Sequence, residues 1–344
     1  MESGRVRISD IAQELGLSTA TVSNVIHGKT GKVSDETVRR VQALLEEREY
    51  IPNMAGILLA QNRSGIIGVV INPHEKYEGH PLEDAFIASS LNYLSLEIEG
   101  HGKFMMVKTA AQAQEIIRFS SMWNLEGLVL IGFCRQDYVW LRQHMRIPFV
   151  VYDGDTDAVE RICNLCIDNF GGGRLVGELF RSLGHRRALC ISDNRSGVDW
   201  ERYRGFRAGL GPVPGDFLEI PMTAAKRLPF YEARLEALRR YTAIFAVSDY
   251  YAVELIRFLQ EHGVRVPGEI SVAGFDDTPV ASQLYPTLTS VRQDGALRAK
   301  TAMEKLIRLR AQEDLGSMVC LPVTLIERES TAAPGQEPCC HPEV

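Results

Sequence analysis

Regular spacing of apolar residues predicts three short helices at the start of the chain. Apolar side chains at i, i+3, i+4 and i+7 predict a helix over residues 8–15. Ser18 is placed to cap a second helix over residues 19–27, and Ser34 caps a third helix that Pro52 ends. Two short helices joined by a tight turn and braced by a third are typical of a helix-turn-helix unit.

Small polar side chains cover the outer face of the second predicted helix. Groups of this size reach base edges or phosphates without steric cost, so the face favours DNA binding. The alternative is a small helical bundle with a polar outer surface. The residues on this face are Ser18, Thr19, Ala20, Thr21, Ser23 and Asn24.

A short apolar segment follows the helical unit. Asn53 is placed to cap a helix that would end near Ala60. A helix of this length is marginal alone, because isolated helices below about 12 residues are unstable in water. The segment therefore predicts either a helix that needs a partner or an ordinary interdomain linker.

Strand and helix patterns alternate from Gly65 onward. Repeated βα units predict parallel sheets covered on both faces, arranged in series as two lobes. Ligands of such folds bind in a crevice at the carboxyl ends of the strands. The predicted strands cover 66–71, 103–108, 127–131, 149–153, 188–192, 217–220, 243–247, 270–273 and 319–326, and the predicted helices cover 82–98, 110–121, 136–145, 172–183, 199–210, 229–241, 250–262 and 297–310.

Several segments together resemble one known family. Those of the helical unit are Ile8-Ser-Asp-Ile-Ala, Leu17-Ser-Thr-Ala-Thr-Val-Ser-Asn-Val-Ile, Val33-Ser-Asp-Glu-Thr-Val and Tyr50-Ile-Pro-Asn. Further on, the likeness continues to Thr331 through Arg202-Tyr-Arg-Gly-Phe, Val266-Pro-Gly-Glu-Ile-Ser-Val-Ala-Gly-Phe-Asp-Asp and Pro286-Thr-Leu-Thr-Ser-Val-Arg-Gln. The chain resembles the lac repressor (LacI/GalR) family of bacterial transcription regulators.

The resemblance implies a fold class and a domain order. The fold is an all-α helix-turn-helix headpiece with a hinge helix, followed by a two-lobed α/β periplasmic-binding-protein-like (type I) core with parallel sheets. The chain then divides into a headpiece (1–52), a hinge helix and linker (53–63), an effector-binding and dimerisation core (64–331) and a flexible tail (332–344). Lobe 1 would comprise about 64–161 and 293–319, and lobe 2 about 164–289 and 321–331, with crossovers near 160–164, 288–293 and 318–322.

The resemblance also assigns DNA-contacting roles. Thr19, Ala20 and Asn24 fall on the family's specificity positions. The backbone-contacting or bracing positions are Ser18, Thr21, Ser23, Ser34, Tyr50 and Asn53. Leu59 falls on the leucine that the family's hinge helix wedges into the minor groove, and Gly56 lies beside it. Asn24 replaces a frequent arginine, and its amide geometry predicts a preference for adenine over guanine.

An effector pocket follows from the same likeness. Arg202 matches an effector-holding arginine, whose fork grips vicinal hydroxyls or a carboxylate. Asp276 matches an effector-contacting aspartate, an acceptor suited to hydroxyl or N–H donors. Asp153, Asp168 and Ser248 match further pocket positions. The alternative for an aspartate such as Asp168 is to cap the following helix.

Composition narrows the function. Of 344 residues, 38 are Lys or Arg and 44 are Asp or Glu, so the net charge is −6. Residues 1–63 hold eight groups of each sign, which leaves the core at −6 and the headpiece neutral. Seven cysteines without an export signal predict reduced thiols in the cytoplasm, and no apolar run is long enough to span a membrane. We find no catalytic motif, metal site or cofactor motif, so an enzyme is not expected.

These observations together predict a ligand-responsive transcription regulator. It would bind a pseudo-palindromic double-stranded operator as a homodimer. A small-molecule effector in the interlobe crevice would control that binding, and a sugar, a sugar derivative or a nucleobase fits the pocket chemistry. The alternative is a solute-binding sensor without DNA function.

Overall fold

A computed structural model describes residues 6–51, 63–154, 162–313 and 318–335. The chain divides into two compact units, Met1–Ser64 and Gly65–Val344. Among the described residues, no helix is long and apolar enough to cross a membrane.

The first unit is the predicted three-helix bundle. Its helices are α1 (Ile8–Leu15), α2 (Thr19–Ile26) and α3 (Asp35–Glu47). The Ser18 hydroxyl accepts a hydrogen bond from Thr21 N at 3.1 Å, and this bond starts α2 as predicted. The small core of the bundle comprises Ile11, Ala12, Val22, Val25, Val41 and Leu44.

Lobe 1 of the second unit is built on a fully parallel six-stranded sheet in the order β11-β5-β4-β3-β1-β2. Its strands are β1 (Ile66–Ile71), β2 (Phe104–Thr109), β3 (Gly127–Ile131), β4 (Phe149–Tyr152), β5 (Cys163–Ile167) and β11 (Met318–Leu321). The helices of this part of the chain are α4 (Ala85–Gly100), α5 (Ala113–Met122), α6 (Arg135–His144) and α12 (Gly295–Arg310).

Lobe 2 is built on a second six-stranded sheet in the order β12-β10-β9-β8-β6-β7, parallel except where β12 runs antiparallel to β10. Its strands are β6 (Ala188–Ser192), β7 (Gly215–Glu219), β8 (Ala243–Ala246), β9 (Ser271–Asp276), β10 (Thr289–Gln293) and β12 (Val323–Ile326). Its helices are α7 (Asn169–Ser182), α8 (Gly197–Leu210), α9 (Ala224–Glu232), α10 (Leu235–Leu238) and α11 (Asp249–Glu261).

The structure corrects the predicted elements at several points. The single strand predicted over 319–326 is two strands, β11 and β12, which belong to different lobes and are separated by Pro322. Strands β5 and β10 were not predicted. The single helix predicted over 229–241 is divided into α9 and α10, and it begins earlier, at Ala224.

The crossings between lobes also differ slightly from the prediction. The first lies at Asp168, because β5 pairs with β4 and β11 in lobe 1. The second lies at Asp294, between β10 and α12, and the third at Pro322. The predicted tail begins in an ordered conformation, since Ala332 N donates to the Ser271 hydroxyl at 3.0 Å. Residues 336–344 lie outside the described residues.

Candidate functional site

The outer face of α2 presents the predicted base-contacting residues. Val22 and Val25 are buried in the headpiece core. Because 3.6 residues complete one turn, Ala20 and Asn24 share the opposite side of the helix, where both are exposed. Thr19 is exposed beside them, and this geometry leaves the three residues accessible to a DNA groove.

The predicted backbone-contacting residues take several positions. Ser18 and Ser34 cap α2 and α3, and each hydroxyl also lies within hydrogen-bonding distance of a threonine hydroxyl, that of Thr21 (2.9 Å) and Thr37 (2.8 Å) respectively. Ser23 is half-buried.

Tyr50 is half-buried against the headpiece core. Its side chain packs on the apolar cluster of the three helices, which fits the predicted bracing role. Asn53, Gly56 and Leu59 lie outside the described residues, so their assignments stay predictions.

Glycines bring α7 and α8 into close contact and thereby position Arg202. A Cβ added at Gly173 would lie 1.9 Å from the Arg202 carbonyl oxygen, and one at Gly177 would lie 2.3 Å from that of Phe206. Gly205 and Gly209 play the same part on α8. The glycine pairs at i and i+4 therefore set the height of the α8 backbone over α7.

The Arg202 guanidinium is held from two sides. Its Nε donates to Asn169 Oδ1 at 2.8 Å, and its Nη1 donates to the Val247 carbonyl at 2.6 Å. The group also lies over the Phe275 ring, 3.8 Å from the ring centre. Its Nη2 makes no hydrogen bond with a described residue, and only 6% of the side chain is exposed.

Asp276 lies beside Arg202 at the carboxyl end of β9. Its Oδ1 is 3.8 Å from Arg202 Nη1 and accepts a hydrogen bond from Gln293 Nε2 at 2.6 Å. Its Oδ2 accepts no hydrogen bond from a described residue, although only 10% of the side chain is exposed. Burial raises the pKa of Asp276 to about 8; Arg202 opposes the rise, and Asp249 adds to it.

A buried polar network continues from Asp276 into lobe 1. Gln293 accepts from Arg298 Nη1 at 2.8 Å through its side-chain carbonyl. Arg298 Nη2 lies 2.7 Å from Asp153 Oδ2, and the guanidinium stacks over Tyr152. The network therefore connects Asp276 of lobe 2 to Asp153 of lobe 1 across the Asp294 crossing.

A cavity of about 520 Å³ opens between the lobes at the strand ends. Ser248 and Asp276 line it from lobe 2, and Lys76 and Asp84 line it from lobe 1. The Tyr250 hydroxyl donates to the Lys76 carbonyl at 3.2 Å and joins the two walls. Burial lowers the pKa of Lys76, but neighbouring groups, above all Tyr77 and Asp199, outweigh it and raise that pKa above its ordinary value.

The structure thus brings some predicted effector residues together and separates others. Arg202 and Asp276 are adjacent, Asp153 joins them through Gln293 and Arg298, and Ser248 lines the cavity. Asp168 is exposed and caps α7, accepting from Gly171 N at 2.7 Å. Asp168, Asp153 and Arg202 do not line this cavity, so their contact with an effector stays a prediction, and for Asp168 the helix cap is a sufficient structural role.

Sequence reasoning missed Lys76, Gln293 and Arg298. Gln293 stood inside the recognised Pro-Thr-Leu-Thr-Ser-Val-Arg-Gln segment, and that position was the available signal. Lys76 lies in an irregular connection after β1 and Arg298 on a helix face, so neither carried a pattern that pointed to the crevice.

Comparison with known proteins agrees with this architecture. Residues 7–53 match the family described as bacterial regulatory proteins, lacI family, and residues 178–331 match the periplasmic binding protein-like domain. The transcriptional regulator CelR of Thermobifida fusca is 27% identical, covering 95% of this chain and 98% of CelR. The transcriptional repressor PurR of Erwinia tasmaniensis is 29% identical, covering 94% of this chain and 96% of PurR.

Solved structures show the same fold. The lac repressor dimer bound to operator and the anti-inducer ONPF aligns with a TM-score of 0.82 at 24% identity, over 96% of this chain and 100% of that one. A CelR–cellobiose complex aligns with a TM-score of 0.66 at 24% identity, over 95% and 100%.

The chain therefore combines a regulatory helix-turn-helix domain with a periplasmic-binding-protein-like core. The helix-turn-helix residues match the lacI family of bacterial regulatory proteins, and the relatives that align over nearly the whole chain are transcriptional regulators.

Proposed function

We propose that this protein is a ligand-responsive repressor that binds a pseudo-palindromic operator as a dimer. The observation that carries the proposal is that one chain has both an exposed polar recognition face on α2 and an interlobe crevice lined by Asp276, with Arg202 behind it. Arg202 Nη1 and Asp276 Oδ1 lie 3.8 Å apart, so a guanidinium and a carboxyl group adjoin at the end of β9. This pair suits the hydroxyl groups of a sugar or a sugar derivative, or the polar edge of a nucleobase.

Exposed apolar side chains support the dimer. Leu96 is 62% exposed and Phe104 58% exposed in lobe 1, and Tyr285 is 86% exposed in lobe 2. Large apolar groups in these positions favour burial against a second copy. Light scattering during gel filtration tests this directly, and a monomer at micromolar concentration would contradict it.

Operator binding is tested by selecting sequences from a random double-stranded library with the full-length protein. We expect an inverted repeat with two similar half-sites, because a two-fold dimer places two copies of α2 on the duplex. A solute-binding sensor without DNA function would select no sequence.

Replacing Asn24 with Arg should change the base preference at one position of each half-site from adenine toward guanine. The asparagine amide matches adenine, whereas the arginine fork matches guanine, and each such pair is worth about 1–3 kcal/mol of discrimination. Repeating the selection with N24R measures the change. Gln42→Arg adds the same charge at an exposed position of α3 and should leave the motif unaltered. An unchanged N24R motif would remove Asn24 from the base-contacting residues.

Replacing Leu59 with Ala should weaken operator binding at least tenfold while ligand binding persists. A leucine wedge holds two base pairs apart, and alanine is too short to fill the opened step. Fluorescence anisotropy with the selected operator measures the loss, and the unfolding temperature of the core serves as the control. Equal operator affinity in the two proteins would rule out the hinge assignment of Leu59.

A further inference from the structure

We propose that Cys166 and Cys320 form a redox modification site, at which a low-molecular-weight disulfide such as glutathione disulfide converts two opposed thiols into a reversible cross-strand disulfide. The new bond ties together two of the three chain crossings between the lobes. The inference is carried by the register of β5 and β11 and by the places where these strands end. It goes beyond the proposed function and does not depend on it.

Strands β5 and β11 place the two cysteines opposite each other. The strands are parallel, and their register matches Cys166 with Cys320. Neighbouring strands lie about 4.8 Å apart, and the Cα atoms of a disulfide lie about 4.4–6.8 Å apart, so the backbone spacing suits the bond. The Cys166 thiol donates to the Val319 carbonyl at 3.4 Å and is also in hydrogen-bonding contact with the Cys320 thiol. The two sulfur atoms therefore already meet on one face of the sheet.

The other cysteines of the described part of the chain have different neighbours. Cys163 pairs with Val150 of β4, and Cys190 lies on β6 in lobe 2. Cys134 is exposed and donates to Asp137 at the start of α6, at 3.0 Å. Of the described cysteines, Cys166 and Cys320 are therefore the two that the strand register brings face to face.

The two thiols differ in their access to solvent. Cys320 is exposed, whereas only 8% of Cys166 is exposed. An oxidant therefore reaches Cys320 first, and Cys166 reacts with the product. Burial raises the pKa of Cys166 to about 12, and it also raises the pKa of Cys320. Both thiols are thus mostly protonated at neutral pH, and the site should react faster as pH rises.

Two exchange steps form the disulfide. The Cys320 thiol loses its proton to water, and the thiolate attacks one sulfur of glutathione disulfide, so that a mixed disulfide forms and one glutathione thiolate leaves. The Cys166 thiol then loses its proton, and its thiolate attacks the Cys320 sulfur and expels the second glutathione thiolate. Each departing thiolate takes up one proton. Two protein thiols are oxidised to one disulfide, and one glutathione disulfide is reduced to two thiols.

The site lies at the root of two crossings between the lobes. Cys166 stands two residues before Asp168, and Cys320 stands two residues before Pro322. Asp168 N donates to the Leu321 carbonyl at 2.9 Å, so these crossings already run side by side. A covalent bond between the strands that lead into them prevents the two segments from separating. The disulfide should therefore slow the local opening that exposes the Asp168 amide to solvent.

The first test treats the full-length protein with millimolar glutathione disulfide. Cys339 and Cys340, which lie outside the described residues, are first replaced with serine so that they do not compete. Mass spectrometry of alkylated peptides should recover a Cys166–Cys320 disulfide, and dithiothreitol should remove it. Because the thiolate fraction of both groups rises with pH, the bond should form about tenfold faster at pH 8 than at pH 7.

Three variants of that protein assign the steps. Cys166→Ser should keep glutathione attached to Cys320, because the second thiol is then missing. Cys320→Ser should give no disulfide at Cys166, because the exposed thiol that starts the reaction is absent. Cys134→Ser removes an exposed thiol elsewhere in lobe 1 and is the matched control, so the Cys166–Cys320 bond should form in it as before.

Hydrogen exchange tests the effect on the crossings. Oxidation should slow exchange of the Asp168 amide at least tenfold in the parent protein and in C134S, and it should leave that rate unchanged in C320S. Equal exchange rates in the oxidised and reduced parent protein would show that the bond does not restrain the crossings.

Two chemical outcomes overturn the site itself. One is an oxidised parent protein in which Cys320 carries only glutathione and Cys166 stays a free thiol. The other is a Cys320 that forms its disulfide with a cysteine other than Cys166. Operator selection by the reduced protein is independent of both outcomes, because neither cysteine belongs to the headpiece.

Discussion

Replacing Asp276 with Asn should raise the unfolding temperature of the ligand-free core by a few degrees at pH 8 to 9. Asparagine has nearly the same shape, and its side-chain carbonyl still accepts from Gln293 Nε2. The substitution removes a carboxylate whose charge is disfavoured by burial, the main cause that raises the pKa of Asp276 to about 8.

The sign of the pH dependence follows from proton linkage. Between the ordinary aspartate pKa near 4 and about 8, the folded protein holds a proton on Asp276 that the unfolded chain has released. The contribution of Asp276 to the free energy of unfolding therefore falls as pH rises through that window. The advantage of D276N should be largest above pH 8 and should vanish toward pH 4, as measured by unfolding temperature across that range.

The same substitution should eliminate the effector response. Because the side-chain carbonyl of the D276N amide would accept from Gln293, its NH2 group would replace Oδ2, and we expect at least a 100-fold loss of affinity for the effector. Asp216→Asn, on the exposed edge of lobe 2, is the matched control and should change neither the unfolding temperature nor the affinity for the effector. A D276N protein that is less stable than wild type at pH 8 would contradict the buried-charge argument.

Local sequence patterns predicted most of the fold because most elements satisfy their own periodicity. Each of the headpiece helices α1, α2 and α3 has an apolar stripe, and two of them also begin at a serine cap. The divided strand at Pro322 was missed because two short apolar runs in different lobes are continuous in sequence. Only the pairing of β11 with β5, and of β12 with β10, distinguishes them.

Strand β5 shows a similar limit. Cys163-Asn-Leu-Cys-Ile is short and has no clear alternation of apolar and polar residues, so its sequence does not predict a strand. It is a buried strand because it pairs with β4 on one side and β11 on the other. The predicted lobe boundary therefore fell a few residues too early.

Some residues of the candidate site were predicted from the sequence and others were not, and the difference has a physical reason. Arg202 and Asp276 stand in recognisable segments at the ends of regular elements. Lys76 and Arg298 make contacts with Tyr250 and Leu165, more than 100 positions away, and one sequence gives no measure of such contacts. Gln293 is nearer in sequence to its partner Asp276, but its position at the end of β10 became clear only from the fold. The glycines of α7 and α8 are visible in the sequence, but only the folded structure shows that the two helices pack on each other through them.

Replacing Arg298 with Met should destabilise the core by about 3–5 kcal/mol, the usual cost of removing one partner of a buried ion pair. Only 3% of the Arg298 side chain is exposed. Methionine fills the volume of its stem but leaves the Asp153 carboxylate and the Gln293 carbonyl without the Arg298 donor, and the Leu165 carbonyl keeps, among the described residues, only its bond from Asp153 N. Urea unfolding, monitored by tryptophan fluorescence, measures the loss of stability, because Trp123, Trp140 and Trp200 all belong to the second compact unit.

A second substitution separates the charge effect from simple misfolding. Asp153→Asn combined with R298M removes the unpaired charge and should recover part of the lost stability. Arg308→Met, at an exposed position of the same helix, should change stability by no more than about 0.5 kcal/mol. If R298M lost no more stability than R308M, the network across the Asp294 crossing would not hold the lobes together. Because Gln293 bonds both Arg298 and Asp276, R298M should also weaken effector binding, whereas R308M should not.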